Sequence, residues 1–531
     1  MRTGAVKQAM LALAGGLMAC APVNAAPAPA PILGAIATDR PGPVISRHIY
    51  GQFSEHLGRG IYDGVWVGPG SPIPNVRGIR SDVVVALRAI RVPVIRWPGG
   101  CFADEYDWRD GVGPRDKRPV RKNNWWGGTP ESNAFGTHEF FDFAEQVGAD
   151  AYISVNVASS TPSAMRAWIE YLTSKGQDTL ANERRANGRA EPFKVPFIGI
   201  GNESWGCGGN MTPEYYANEL RRFGALFHKN GINFHNDNDN SAARVGSGAN
   251  NLDTNWTDVV TKNAGHHLDA ISLHFYTLLT GEWANRNQAK ATNFPEAQWN
   301  DILFQASRME DVLNQHIAVL DRNDPQKRIG LFVDEWGTWY DHEPGTNPGH
   351  LYQQNSLRDA LVAAGTLNIF HRHADRVRMA NIAQTVNVLQ AMLLTDGAAM
   401  ARTPTYHVFR MYLPFQDATL LPVQVDAPML DAQGGRFPAF SITAARSRDG
   451  IVHVAVANMD RAKGYALHLN LSGLKARSVR GEILTHARLD AHNVPGQPET
   501  ITPRAFTGGQ IADGALLLRV PAKSVVVLAL E

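Results

Sequence analysis

The sequence predicts a (β/α)8 barrel followed by an all-β sandwich domain, and three observations carry that expectation. Eight short apolar runs recur over roughly the length one such barrel needs. Helical patterns with recognisable starts separate most of them. After about residue 400 the texture changes to alternating segments punctuated by Gly, Asn and Asp.

The eight runs are Ile49–Phe53, Val92–Trp97, Ala151–Val157, Phe197–Ile200, Ala243–Gly246, Ala270–Tyr276, Ile329–Val333 and Val377–Ile382. Between them, Ser81 precedes DVVVALRAI and Thr137 precedes HEFFDFAEQV. Thr212-Pro213 opens a third helix with a capping residue and a proline at the first helical position. An open doubly wound sheet is the competing architecture. The strand count favours the barrel, and no Gly-rich phosphate loop follows an early strand. Ala439–Ile442, Ile451–Ala457, Tyr465–Leu471 and Ala515–Ala529 read as strands of the second domain, and Ile32–Val44 is expected to add a strand to it. The division expected is a signal peptide over 1–25, a linker and N-terminal strand over 26–45, the barrel over 46–398 and the sandwich over 399–531.

A chain of 531 residues is long enough for a large domain and a smaller one. Its 51 basic and 50 acidic residues nearly cancel, which leaves no electrostatic footprint for nucleic acid or an anionic membrane. At the N-terminus, Arg2 and Lys7 precede an apolar run, Ala9–Met18, too short to span a bilayer. Val23-Asn24-Ala25 offers a cleavage site before an Ala/Pro tract, so export to the periplasm or beyond is expected. Leu17-Met18-Ala19-Cys20 loosely resembles a lipobox, but Met18 fits that pattern poorly, and simple cleavage is preferred. No later stretch is long and apolar enough for a membrane helix, so no stable membrane insertion is expected. Only Cys101 and Cys207 would remain after cleavage, and no disulfide framework is implied.

The chemistry gathers where barrel enzymes place it, at the C-terminal ends of the strands. Strand four runs into Gly201-Asn202-Glu203-Ser204-Trp205, and strand seven into Val333-Asp334-Glu335-Trp336-Gly337. Either glutamate alone would read as a strand-end cap or an ion-pair partner. Two on one face suit glycosidic cleavage: one stays protonated to assist the leaving oxygen, and the other is ionised to attack the anomeric carbon.

These and other segments resemble the family 51 α-L-arabinofuranosidases, within the retaining (β/α)8 glycosidases. The matching stretches are Gly51–Arg59 (GQFSEHLGR), Arg96–Phe102 (RWPGGCF), Trp108–Pro114 (WRDGVGP) and Gly201–Gly209 (GNESWGCGG). They continue with His274-Phe275-Tyr276, Asp334-Glu335-Trp336 and Asn381-Ile382-Ala383-Gln384, in order from about residue 45 to the C-terminus. The resemblance implies Glu203 as acid/base and Glu335 as nucleophile. It implies Asn202 on the sugar 2-hydroxyl, Tyr276 holding the nucleophile, and Arg96 and His274 lining the same pocket. Glu55 and Gln384 would bind furanose hydroxyls. Trp205 and Trp339 would form aromatic walls, and Trp126 (or its neighbour Trp125) would cap the site. The family pattern has Asn where this chain has Cys101; a thiol is a weak donor and acceptor, so that sugar contact is expected to be weaker.

The implied substrate is an arabinose-containing polysaccharide or oligosaccharide, with exo-release of terminal residues and a homo-oligomeric enzyme. The rival enzyme reading is a β-xylosidase or endo-glucanase on the same scaffold. Outside catalysis, the rival is a sugar-binding protein on a dead barrel, against which both carboxylates speak. No cofactor or metal is expected. Asn236–Asn240 (NDNDN) lacks the Gly and terminal Glu of a calcium loop, and His266-His267 and His371-Arg372-His373 show no set of partner ligands.

Overall fold

A computed structural model of the chain describes residues 30–226 and 242–531 together with Met1. The segment behind the export expectation, including Cys20, lies outside the described residues, as does Asn236–Asn240.

Eight parallel strands close into a barrel. They are β1 Gly51–Phe53, β2 Val94–Trp97, β3 Asp150–Val155, β4 Phe197–Ile200, β5 Ala243–Asn250, β6 Ala270–Thr277, β7 Gly330–Thr338 and β8 Val377–Ala383. Each of the eight apolar runs becomes one of them, in order. Closure comes from β8 pairing with β1, with Asn381 opposite Gly51 and Ala383 opposite Phe53, which excludes the open sheet. Val94, Tyr152, Val245, Ala270, Phe332 and Met379, all early in their strands, pack together as an apolar floor. Further along the strands the interior turns polar, with Arg96, Asn202, His274, Asp334 and Glu335 all buried. In the pairing of β6 with β7 the register shifts between Ser272 and His274, which sets His274 opposite Glu335. Such an irregularity re-aims side chains near a strand end.

The helix starts follow the sequence unevenly. Thr212 caps Pro213–Gly224 by accepting from the Tyr215 N–H at 3.3 Å, as expected. Ser81 and Thr137 instead lie inside the first turns of Ser81–Ala89 and Thr137–Val147. At the first of these Arg80 holds the cap position, and its fully buried guanidinium donates to Asp82. At the second, Glu139 accepts from the Gly136 N–H at 2.9 Å.

The second domain is a sandwich of a five-stranded and a six-stranded sheet. The strand Ile32–Ala37 lies inside the five-stranded sheet, antiparallel to Val423–Val425 and parallel to Tyr465–Ser472. Ile36, Leu421, Val454, Leu469, Leu518 and Val526 belong to the core between the sheets. The helix Leu357–Arg372, between β7 and β8, packs on Phe440–Arg446 and Val452–Asn458 as well as on the barrel. Buried from Leu357 through His371, it has no solvent face to reserve for charge. Polar contacts stitch the same seam: Asn368 Nδ2 donates to Ser441 Oγ at 3.2 Å, and Trp299 Nε1 to the Met459 carbonyl at 2.7 Å.

Trp299 therefore tests how far the two domains share stability. Trp299→Ala is expected to cost about 3–5 kcal/mol through lost packing and cavity. Trp299→Phe should cost about 1–3 kcal/mol, chiefly by leaving the Met459 carbonyl without a donor. Urea unfolding monitored by circular dichroism measures both.

Candidate active site

Arg96, near the end of β2, lies at the centre of the site with only 2% of its surface exposed. Its Nη1 donates to Glu335 Oε1 at 2.8 Å and its Nη2 to Asn202 Oδ1 at 2.6 Å. Its Nε lies 3.6 Å from Asp334 Oδ2, and the guanidinium carbon lies 4.7 Å from the centre of the Phe53 ring. Burial works against the charge, but Asp334 and Glu335 more than offset it, and the guanidinium stays charged. One cation from β2 thus ties together the ends of β4 and β7.

Glu335 receives a second donor, the Tyr276 hydroxyl at 2.8 Å on Oε2. Both of its oxygens are therefore engaged, one by a guanidinium and one by a phenol. Glu203 follows β4 at a left-handed φ of 40°, with 17% of its side chain exposed. Its Oε1 lies 2.8 Å from His274 Nδ1, and its Oε2 faces Cys207 Sγ at 3.6 Å. Burial raises its pKa and nearby Glu335 adds to the effect, while the His274 hydrogen bond pulls the other way. One carboxylate oxygen from each glutamate lies within 4.8 Å of the other. Retaining sites hold their carboxyl groups about 5–5.5 Å apart, against at least about 6.5 Å in inverting ones.

His274 bridges the carboxylates. Burial disfavours its charge, yet Glu335, Asp334 and Glu203 push its pKa up to about 10. Asp334 lies 3.3 Å from His274 Nε2 and accepts from the Tyr152 hydroxyl at 2.7 Å. Burial would raise its pKa, but Arg96 and His274 hold it below the usual range. His274 thus faces three carboxylates, Glu203 at 2.8 Å, Asp334 at 3.3 Å and Glu335 at 3.6 Å.

The predicted binding residues lie around this centre. Glu55 receives four hydrogen bonds, from the Gly100 and Phe102 N–H groups, Trp126 Nε1 and Gln384 Nε2, at 3.0–3.1 Å. Burial, with Glu335 nearby, pushes its carboxyl up to about 7. A Cβ on Gly99 would sit 2.7 Å from the Glu55 side chain, so the paired glycines let the backbone come this close. Trp126 is half-buried and reaches the site, whereas Trp125 is exposed. Trp205 donates to the Gly248 carbonyl at 3.1 Å. Trp339 packs edge-on to Tyr276, with ring centres 5.1 Å apart, and meets Trp283 at 5.2 Å.

Cys101 corrects the sequence reading. It forms a disulfide with Cys207, with Cα atoms 5.4 Å apart, so it presents no thiol to a sugar. The two cysteines are 106 residues apart, on loops after β2 and β4, which flank β3 in the barrel. Four other contributors went unrecognised: Tyr152, Asp334 as a charge partner, Trp283 and Asp104. Asp104 accepts the Asn202, Val157 and Ala158 N–H groups at 2.8–3.1 Å and fixes the backbone before Glu203. Asp334 stood in view within the Asp-Glu-Trp motif; Tyr152, inside a strand, carried no signal. His371 and His373 serve structure elsewhere, His371 between Tyr50 and Thr443 and His373 against Glu310.

The raised pKa of His274 makes a stability prediction. Its contribution is complete below its ordinary value of 6.5 and is lost as pH rises through about 10. His274→Gln should therefore lower Tm at pH 7, with the gap to the parent protein narrowing as pH passes through about 10. Differential scanning calorimetry across that window measures it.

Comparison with known proteins follows the same lines. Residues 86–288 match the model of the α-L-arabinofuranosidase 1 domain, and residues 334–524 that of the α-L-arabinofuranosidase C-terminal domain. An intracellular exo-α-L-arabinofuranosidase of Bacteroides ovatus is 46% identical over 489 residues, 92% of this chain and 93% of that protein. An intracellular exo-α-(1→5)-L-arabinofuranosidase of Streptomyces lividans is 29% identical over 89% of this chain and 71% of that protein. Both relatives are named intracellular, which overturns the expectation of a secreted enzyme with a signal peptide. A family 51 arabinofuranosidase structure from Xanthomonas axonopodis pv. citri superimposes with a TM-score of 0.90 at 48% identity, covering 94% of this chain and all of that one. The chain belongs to the glycoside hydrolase family 51 α-L-arabinofuranosidases.

Proposed function

We propose that the chain releases terminal α-L-arabinofuranosyl residues from arabinose-containing oligosaccharides or polysaccharides by double displacement, with Glu335 as nucleophile and Glu203 as acid/base. One observation carries the assignment of roles. Two carboxylate oxygens lie within 4.8 Å, one group hydrogen-bonded by Arg96 and Tyr276 and the other biased toward its acid form by burial.

In the first step the Glu203 proton passes to the leaving oxygen as Glu335 attacks the anomeric carbon, and a glycosyl-enzyme forms. In the second, Glu203 takes a proton from water, which displaces Glu335 and returns the starting anomeric configuration. Asn202, oriented by Arg96, is proposed to contact the 2-hydroxyl. Glu55, Gln384 and Trp126 are proposed to meet the remaining hydroxyls, and Trp205 and Trp339 to wall the site. Exo action and an intracellular setting are proposed from the relatives' names. The barrel over 46–398 is proposed as the catalytic unit, with residues 399–531 and the strand near residue 32 as its accessory domain. A homo-oligomer is proposed from the family resemblance; light scattering at a single chain's mass would refute it.

Two experiments test the roles. The fall in kcat/KM on the alkaline side should follow deprotonation of Glu203, above the ordinary carboxyl range, and should vanish in Glu203→Ala with a dinitrophenyl arabinofuranoside. With that substrate and variant the glycosyl-enzyme should accumulate, and azide should restore turnover to give the arabinosyl azide of retained configuration. Glu335→Ala should give only the inverted azide. NMR of the products separates the two, and the opposite pattern would exchange the roles.

A further inference from the structure

The disulfide touches the proposed chemistry directly. Cys207 Sγ lies 3.6 Å from Glu203 Oε2 and 3.8 Å from Asn202 Nδ2. Donor atoms of Cys101, Cys207 and Glu203 all lie within 4.8 Å of one another, and all three residues are half-buried, open to a small solute.

Both cysteines are also anchored by bonds that do not depend on the disulfide. Glu55 Oε1 accepts from Gly100 and Phe102, on either side of Cys101. The Glu203 carbonyl accepts from Gly206 at 2.7 Å and Gly208 at 3.1 Å, on either side of Cys207. Gly208 is confined there, since a Cβ would sit 1.7 Å from the Asn202 carbonyl oxygen. Breaking the sulfur–sulfur bond leaves two thiols facing one another beside Glu203.

We propose that in the dithiol state Cys101, Cys207 and Glu203 form a site for a soft divalent cation such as Cd²⁺ or Zn²⁺, whose binding withdraws Glu203 from catalysis, and that the disulfide state is immune. The inhibitory half rests on Glu203 being the acid/base. Zinc bonds of about 2.3 Å to sulfur and 2.0–2.2 Å to oxygen place tetrahedral donors about 3.5–3.8 Å apart. The Cys207–Glu203 separation already has that length. Glu203 Oε1 is occupied by His274, and Oε2 is the oxygen turned to the sulfurs. Two thiolates select soft ions, whereas Mg²⁺ and Ca²⁺ demand more oxygen ligands than this corner offers.

The steps balance with two co-reactants. A small dithiol supplies two electrons and two protons to the Cys101–Cys207 bond and is itself oxidised to a disulfide. The cation then displaces both thiol protons, with any proton on Glu203, into water and forms two metal–sulfur bonds and one metal–oxygen bond.

The test uses the full chain carrying Cys20→Ser, so that Cys101 and Cys207 are its only cysteines. Protein reduced with dithiothreitol and desalted without oxygen is titrated with Cd²⁺ beside the oxidised form. Bound metal, thiolate-to-cadmium charge-transfer absorption and arabinofuranosidase rate are followed together. The reduced protein should bind one Cd²⁺ per chain with the absorption band and lose about a hundredfold or more in rate, as when an acid/base is withheld. A chelator should reverse both, and the oxidised protein should show neither. Adding Cys207→Ser should abolish the band, whereas Glu203→Gln should keep it at weaker affinity. No band in the reduced protein, or equal binding by the oxidised one, overturns the site. A full band with undiminished activity overturns instead the acid/base assignment, and the inhibitory half with it.

Discussion

Arg96 is a cation out of reach of bulk water, and the rest of the site is arranged around that fact. A buried guanidinium must be met by anions and acceptors or it destabilises the fold. Here Glu335, Asp334 and Asn202 meet it, from the ends of two other strands. Removing any one leaves the charge short of a partner, so the same residues that support the chemistry also hold the barrel's upper interior together. Structure and catalysis draw on one set of bonds.

That coupling explains how two glutamates of the same kind differ. Glu335 lies within β7, where Arg96 and Tyr276 each claim one of its oxygens. Glu203 lies one turn beyond β4, and among the described residues its carboxylate meets His274 and a sulfur. The contrast is set by distance from the central cation. The supporting loops extend the pattern outward: Asp104 pins the backbone at Asn202, and Glu55 gathers the loop after β2.

The fold was legible because each barrel strand is an apolar run bounded by polar residues, a pattern that burial on both faces demands. The paired glutamates were legible because strand-end carboxylates with adjacent Trp have few ordinary uses. Tyr152 and Asp104 were not, because their roles depend on residues about 180 and 100 positions away, which only the assembled strands bring near. The disulfide escaped for the same reason, and because two cysteines with no spacing pattern carry no pairing information. Ser81 and Thr137 were misplaced by one residue, since a buried Arg80 and a Gly136–Glu139 contact fill the terminal roles instead. Local capping rules yield to tertiary contacts of that kind.

The position of Ile32–Ala37 bears on how the protein is made. Gly34 lies opposite Leu469 and Val425, so this strand emerges long before either neighbour exists. At common rates of synthesis the wait is on the order of 20–90 s. Throughout it the barrel strands are being produced, while an apolar segment destined for an interior place in a sheet stays unpaired. The sandwich is therefore completed late: its first strand waits for Val423–Val425 and Tyr465–Ser472, and the barrel's buried helix Leu357–Arg372 waits for its cover from Phe440–Arg446 and Val452–Asn458.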